Sequence, residues 1–177
     1  MLKFIGDLRS ILLGLWLGAA SFFSFAVAPS AFSVIPAADL AGSLVSRTLM
    51  IVNISGIVIG AFLLTTSFLP ARNAKIWVIW IERILLTITT LAGICGHFVV
   101  SFWMGQIRLA AGRPIEELAA EDPVRSQFNL WHEYSVYVLM TGMIAAAICY
   151  FLLGYRSRNS QNKEIKNKIN DITDFKF

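Results

Sequence analysis

The chain has 177 residues, of which 56% are hydrophobic and only 15% are charged, and its formal net charge at pH 7 is +4. A soluble domain needs a larger charged surface, so this composition excludes an ordinary soluble enzyme and indicates an integral membrane protein. The lipid bilayer is therefore the expected partner, and nucleic acid is not.

Four long runs contain no Asp, Glu, Lys or Arg: 10–38, 48–71, 84–107 and 134–155. Each run exceeds the roughly 20 residues that cross a hydrocarbon core about 30 Å thick, and in lipid each must be helical. We therefore predict an all-α, membrane-embedded four-helix bundle within residues 1–156. Its spans are predicted at about 10–35, 48–69, 84–105 and 131–154, and residues 157–177 are predicted to form a polar, basic, disordered tail.

The first predicted span carries the outline of a cleavable signal peptide. Basic residues precede an apolar stretch that ends in Ala26-Val27-Ala28, an A-x-A pattern. Pro29 follows directly, which makes a poor cleavage site, and the apolar run continues through Phe32. The segment is therefore predicted to be retained as a span, with a kink where Pro29 removes a backbone hydrogen bond.

Charge and aromatic residues predict the orientation of the spans. Eleven basic residues lie at the ends that include both termini, against four at the opposite ends. The positive-inside rule then predicts that both termini are cytoplasmic. Tryptophan and tyrosine at both boundaries agree with this, with Trp77, Trp80 and Tyr155 expected inside and Trp103 and Trp131 outside. The expected location is a multi-pass position in a bacterial inner (plasma) membrane.

Local chemistry predicts where helices begin and end. Gly112, followed by Pro114, is a stop signal for the third helix, and Asp122-Pro123 is a start signal for the fourth. Pro36 suits the start of the second helix. The motifs GLWLG (14–18) and GIVIG (56–60) both read G-x-x-x-G, which allows close helix packing and is expected to act within the molecule.

Polar groups at membrane depth are costly, so each is expected to have a partner or a purpose. A candidate polar cluster on the outer side comprises Arg47, Asn53, His132, Glu133 and Ser135, with His97 nearby. It would form either a pocket or ion path, or a set of interhelical hydrogen bonds that hold the bundle together. Arg47 is predicted to bond to the opening turns of the fourth helix, and Glu82-Arg83 to form an interfacial pair.

No motif of a soluble catalytic site is present, so an enzymatic activity is not expected. Cys95 and Cys149 lie inside predicted spans, and Cys95 with His97 is too little for a closed metal site, so no metal is expected. Haem ligation by His97 and His132 would need both rings at one depth, whereas the two differ by about 10 Å along the helices. No cofactor is therefore predicted.

Three stretches resemble the transmembrane-protein-205-like family, a domain of unknown function. They run through the first predicted helix, open the second helix with Ala41-Gly42 and Ser46-Arg47, and open the fourth with EDPVRSQFNLWHEYS. The family-like positions are Trp16, Gly18, Pro29, Phe32, Pro36, Gly42, Asp122, Pro123 and Phe128. The resemblance implies a four-helix integral membrane protein without an established activity, and it implies that Arg47 and His132 belong to one recurring site.

Three functional hypotheses follow. The first is a non-enzymatic membrane protein, either a stress or resistance factor or an accessory factor of a membrane complex. The alternative is a small transporter of an ion, metal or solute that uses the outer polar cluster. A weaker alternative is a redox subunit that binds haem or quinone. The sequence leaves open a homo-oligomer or a membrane-protein partner.

Overall fold

The computed structural model describes residues 2–68 and 76–174, and within these ranges every regular element is helical. The α-helices are α1 (Leu2–Phe22), α2 (Ala28–Val34), α3 (Ala38–Thr66), α4 (Ile76–Ile94), α5 (Ser101–Ala111) and α6 (Pro123–Asp174). Two π-helical segments, Phe23–Val27 and Cys95–Val100, join α1 to α2 and α4 to α5, and a short 3-10 turn covers Ile115–Glu117.

Four continuous helices are long and apolar enough to cross a membrane: span 1 (Phe4–Val34), span 2 (Ala38–Thr66), span 3 (Ile76–Ala111) and span 4 (Pro123–Arg156). The predicted all-α membrane bundle is thus confirmed. Spans 1 and 3 each pack against spans 2 and 4, so the spans form a ring in chain order. We call the end where span 1 begins and span 4 ends the terminal side, and the opposite end the loop side.

Span 1 continues through its proline by widening one turn. Ala28 N–H donates to the carbonyl of Phe23, five residues earlier, which makes the turn before Pro29 π-helical. A π turn is a known way for a helix to absorb a backbone hydrogen bond that proline cannot make. The helix then runs on to Val34.

Close packing of spans 1, 2 and 3 depends on small residues. Trp16 is buried against span 2, and its indole Nε1–H donates to the Val52 carbonyl at 3.0 Å. A Cβ atom added at Gly56 would lie 2.8 Å from that indole nitrogen, and one at Gly60 would lie 2.3 Å from Thr90 Oγ1. The GIVIG motif therefore packs within the molecule, as predicted, whereas a Cβ at Gly18 would meet nothing within 4 Å.

On the loop side, the helices end and begin where the sequence signals predict. Gly112 ends α5 in the left-handed conformation, with φ of 62°, which glycine adopts without a steric cost. Asp122 caps the next helix, because its Oδ1 accepts a hydrogen bond from Val124 N–H at 2.8 Å. Trp103 and Trp131 stack with ring centroids 5.8 Å apart, which joins spans 3 and 4 at this boundary.

The C-terminal segment differs from the predicted disordered tail. Helix α6 continues without a break from span 4 through Asp174. No glycine or proline, the two residue types least favourable inside a helix, follows Gly154. The helix already formed in span 4 also removes the cost of nucleation. Residues 175–177 and the connection at 69–75, which holds the basic residues Arg72 and Lys75 of the charge argument, lie outside the described residues.

Candidate functional site: a buried carboxylate between arginines

Span 3 presents one buried stripe towards the other spans. It runs through Val78, Glu82, Leu86, Thr89 and Gly93, at spacings of three and four residues. Glu82 is fully buried, with 0% of its surface exposed. Because its register matches that of the apolar residues, its carboxylate faces the interior of the bundle rather than the lipid.

Two arginines from other spans reach this carboxylate. Arg9, on the buried stripe of span 1 with Leu13 and Trp16, donates from Nη2 to Glu82 Oε1. Arg156, at the end of span 4, donates from Nη1 to Glu82 Oε2. Each carboxylate oxygen therefore has its own guanidinium, which is the compensation that a buried charge requires.

The last turn of span 2 also takes part through its backbone. Arg9 Nη2 donates to the Leu63 carbonyl at 3.1 Å, and Arg83 Nη2 donates to the Ser67 carbonyl at 3.1 Å. The Arg83 guanidinium lies over the Phe68 ring, 4.1 Å from its centroid. Two positive charges thus meet carbonyls at the C-terminal end of a helix, where its dipole favours cations.

The interpretation of Glu82-Arg83 as an interfacial pair is therefore wrong. Successive residues on a helix point about 100° apart, so Glu82 faces Arg9 and Arg156 while Arg83 faces the end of span 2. Through these bonds one carboxylate connects spans 1, 3 and 4, and Arg9 adds span 2. We call Arg9, Glu82 and Arg156 the charged clamp.

A second buried polar site lies near the middle of the bundle. Asn53 is 4% exposed, and its carboxamide has no hydrogen-bond partner among the residues that the structure describes. With Trp16, Thr89 and Gly142 it lines a cavity of about 10 Å³, which is room for about one water molecule. Thr89 is satisfied here, because its hydroxyl donates to the Leu85 carbonyl at 3.0 Å.

The other predicted members of the outer polar cluster do not enter the interior. Arg47, His132 and Glu133 are exposed, and Ser135 is half-buried. Within residues 2–68 and 76–174 no hydrogen bond or ion pair joins Arg47 to the fourth helix, so the bond predicted for it is not seen. Asn53 alone of the five is buried.

Arg108 occupies the place that the sequence suggested for Arg47. Its Nη1 donates to Ser46 Oγ at 3.3 Å, and its guanidinium lies 5.2 Å from the centroid of the Phe128 ring on span 4. Gly42 makes room for it, since a Cβ there would lie 3.3 Å from Arg108 Nη2. Three spans are thereby joined near the loop side by a residue that sequence reasoning assigned no role.

The two histidines lie in different environments. His97 belongs to the π-helical segment of span 3, and its ring packs edge-on against Phe98 with 4.7 Å between centroids. His132 is exposed on span 4. Among the described residues no group of three or more His, Cys, Asp or Glu could hold a metal ion.

The family-like positions divide by burial. Trp16 and Gly42 are buried, Asp122 caps a helix and Phe128 packs under Arg108. Exposed positions are Gly18, Pro29, Phe32, Pro36 and Pro123. In the first group, Trp16, Gly42 and Phe128 serve contacts between helices and Asp122 caps its own helix. The second group faces the surroundings of the bundle.

Comparison with curated proteins and with solved structures gives no match. Residues 11–113 match a protein family described as Domain of unknown function (DUF4149), and the matched part is more than half of the chain. It includes residues 11–34 of span 1, all of spans 2 and 3, and both Glu82 and Asn53. The chain belongs to the DUF4149 family of proteins with a domain of unknown function.

Proposed function

We propose that this protein is a non-enzymatic accessory factor of a membrane complex, and that it acts through the outward-facing residues of its loop side. The observation that carries the proposal is the exposure of Arg47, His132 and Glu133 on the surface of the bundle. Polar side chains at the edge of the hydrocarbon need polar partners. A neighbouring membrane protein can supply these partners, and a stress or resistance role would then pass through that neighbour.

The charges inside the bundle support the same proposal. Both oxygens of the Glu82 carboxylate accept a hydrogen bond from a guanidinium group, so this carboxylate is engaged in holding the helices together. Transport through the outer polar cluster has less support, because three of its five predicted members are exposed. The resemblance to the transmembrane-protein-205-like family is consistent with a role that needs no active site.

Site-specific photocrosslinking in native membranes tests this proposal. A photoreactive residue at position 133 is expected to give a discrete protein adduct, and one at Ile148, which is 49% exposed on the same helix, should give lipid adducts only. Arg47→Ala is expected to reduce the adduct. The mass of the adduct separates a second copy of this chain from another protein, and equal labelling from positions 133 and 148 would contradict the proposal.

We also propose that the terminal side is cytoplasmic, in a bacterial inner membrane. Exposed Trp77 and Trp80 on that side, and Trp103 on the loop side, suit the two boundaries of a bilayer. After Phe177, a reporter that works only in the cytoplasm is expected to be active. After Glu117, a reporter that works only outside the cytoplasm is expected to be active. The opposite pair of results would reverse the orientation.

A further inference from the structure

The terminal side holds more positive than negative charge around the charged clamp. Arg9 and Arg156 bond to Glu82, whereas Arg83, the next residue along span 3, bonds to the Ser67 carbonyl. This end of the bundle therefore holds three guanidinium groups and one buried carboxylate. The nearby Asp7 is exposed, and among the described residues it makes no ion pair with them. The formal excess is two positive charges, and the dipole of span 2 offsets only about half of one charge.

Two donors in this group have no acceptor. The Nε atoms of Arg9 and Arg83 are buried, and neither has a hydrogen-bond partner in the part of the chain that the structure describes. Arg9 is only 6% exposed. Both arginines use Nη2 for the last turn of span 2, so both unpaired donors belong to the same corner of the bundle. A buried donor on a charged group is costly to leave unpaired, and it therefore points to an acceptor outside the described part of the chain.

Aromatic residues place this corner at the level of lipid headgroups. Trp77, Trp80 and Tyr155 are 55%, 57% and 63% exposed, and they lie within about a turn and a half of Glu82 or beside Arg156. Such rings are enriched at the boundary between hydrocarbon and headgroups. The Arg156 side chain is 21% exposed, so the group of charges is open to its surroundings on one side.

We propose that Arg9, Arg83 and Arg156 form a binding site for one phosphate group, supplied by an anionic phospholipid. Guanidinium groups bind phosphate oxygens through paired, charge-assisted hydrogen bonds. The phosphate would offset the excess charge and give acceptors to the unpaired Nε donors. Inorganic phosphate shares this chemistry, but it lacks the acyl chains that hold a lipid headgroup at the depth marked by the aromatic residues.

The test uses the purified full-length chain in detergent and three probes: phosphatidylglycerol, phosphatidylcholine and inorganic phosphate. Native mass spectrometry measures the bound lipid, and a thermal melt measures the stabilisation. Arg83→Gln is the informative variant, because Arg83 makes no bond to Glu82 and its loss leaves the clamp intact. Arg47→Gln removes one positive charge on the loop side and is the matched control.

Wild-type protein is expected to retain one phosphatidylglycerol and to melt at a higher temperature with it than with phosphatidylcholine. Loss of a charge-assisted hydrogen bond should weaken this binding about tenfold in Arg83→Gln and leave it unchanged in Arg47→Gln. Arg83→Lys keeps the positive charge but loses the planar guanidinium donors, so its affinity for phosphatidylglycerol should lie between those of Arg83→Gln and Arg47→Gln. If inorganic phosphate stabilised the protein as much as phosphatidylglycerol does, the arginines would still form a phosphate site, but its ligand would be a free anion rather than a lipid. Equal binding of both lipids, or no difference between Arg83→Gln and Arg47→Gln, would overturn the proposal.

Discussion

Glu82→Ala is expected to lower the midpoint of thermal unfolding in detergent by about 10 °C. The change removes the only carboxylate of the clamp and leaves two guanidinium groups without their counter-charge. Breaking a buried ion pair in this way costs about 3–5 kcal/mol, and in a chain of this size each kcal/mol shifts the midpoint by about 2–4 °C. Scanning fluorimetry of the five native tryptophans would measure the effect.

The matched control for this substitution is Glu133→Ala, because Glu133 is an exposed carboxylate of span 4. It is expected to change the free energy of unfolding by no more than about 0.5 kcal/mol. A variant in which Arg9, Glu82 and Arg156 are all replaced by methionine should be more stable than Glu82→Ala alone, because no charge is left unpaired. If the charged clamp contributed nothing to stability, Glu82→Ala and Glu133→Ala would instead unfold at the same temperature.

Gly56→Leu is expected to destabilise the bundle severely, by about 3 kcal/mol or more. Even the first carbon of the new side chain would lie 2.8 Å from Trp16 Nε1, so the indole would have to leave its place and its hydrogen bond to Val52. Overpacking a close contact usually costs 1–3 kcal/mol, and the lost bond adds about one more. Thermal melts and the yield of folded protein would report the change.

Gly18→Leu provides the control, since Gly18 closes the other G-x-x-x-G motif but has nothing within 4 Å of its Cβ position. Leucine is also the better helix former, so this variant is expected to melt at or slightly above the wild-type midpoint. If both variants melted at the same temperature, the close contact between Trp16 and Gly56 would carry no stability.

The sequence was sufficient to predict features that depend on one helix at a time. Uncharged runs located the spans, since the thickness of the bilayer sets their length. Gly112 and Asp122 are confirmed as a helix stop and a helix start, because backbone geometry at a helix end depends on adjacent residues. Pro29 was expected to disturb span 1, and a π turn precedes it.

Features that depend on the rotation of one helix against another were missed. The depth of Arg47 could be estimated from the rise per residue, but the face of span 2 that meets span 4 could not, and Arg108 makes the contact instead. For Glu82 a signal was available in the sequence: its spacing from Val78, Leu86 and Thr89 places it on a buried stripe. Its partners lie 73 and 74 residues away along the chain, and no local pattern identifies them.

Helix α6 passes from Pro123 to Asp174 without interruption, so the segment after Arg156 is a direct helical continuation of span 4. Its 18 residues extend about 27 Å, nearly the thickness of the hydrocarbon core. Arg156, which bonds to Glu82, lies on the same continuous helix, so the orientation of the segment about its axis is tied to that of the charged clamp. Deleting one residue just after Arg156 would turn the whole segment by about 100° while the four spans stay as they are. The angular position of anything held by that segment is thus set by the number of residues that separate it from the membrane.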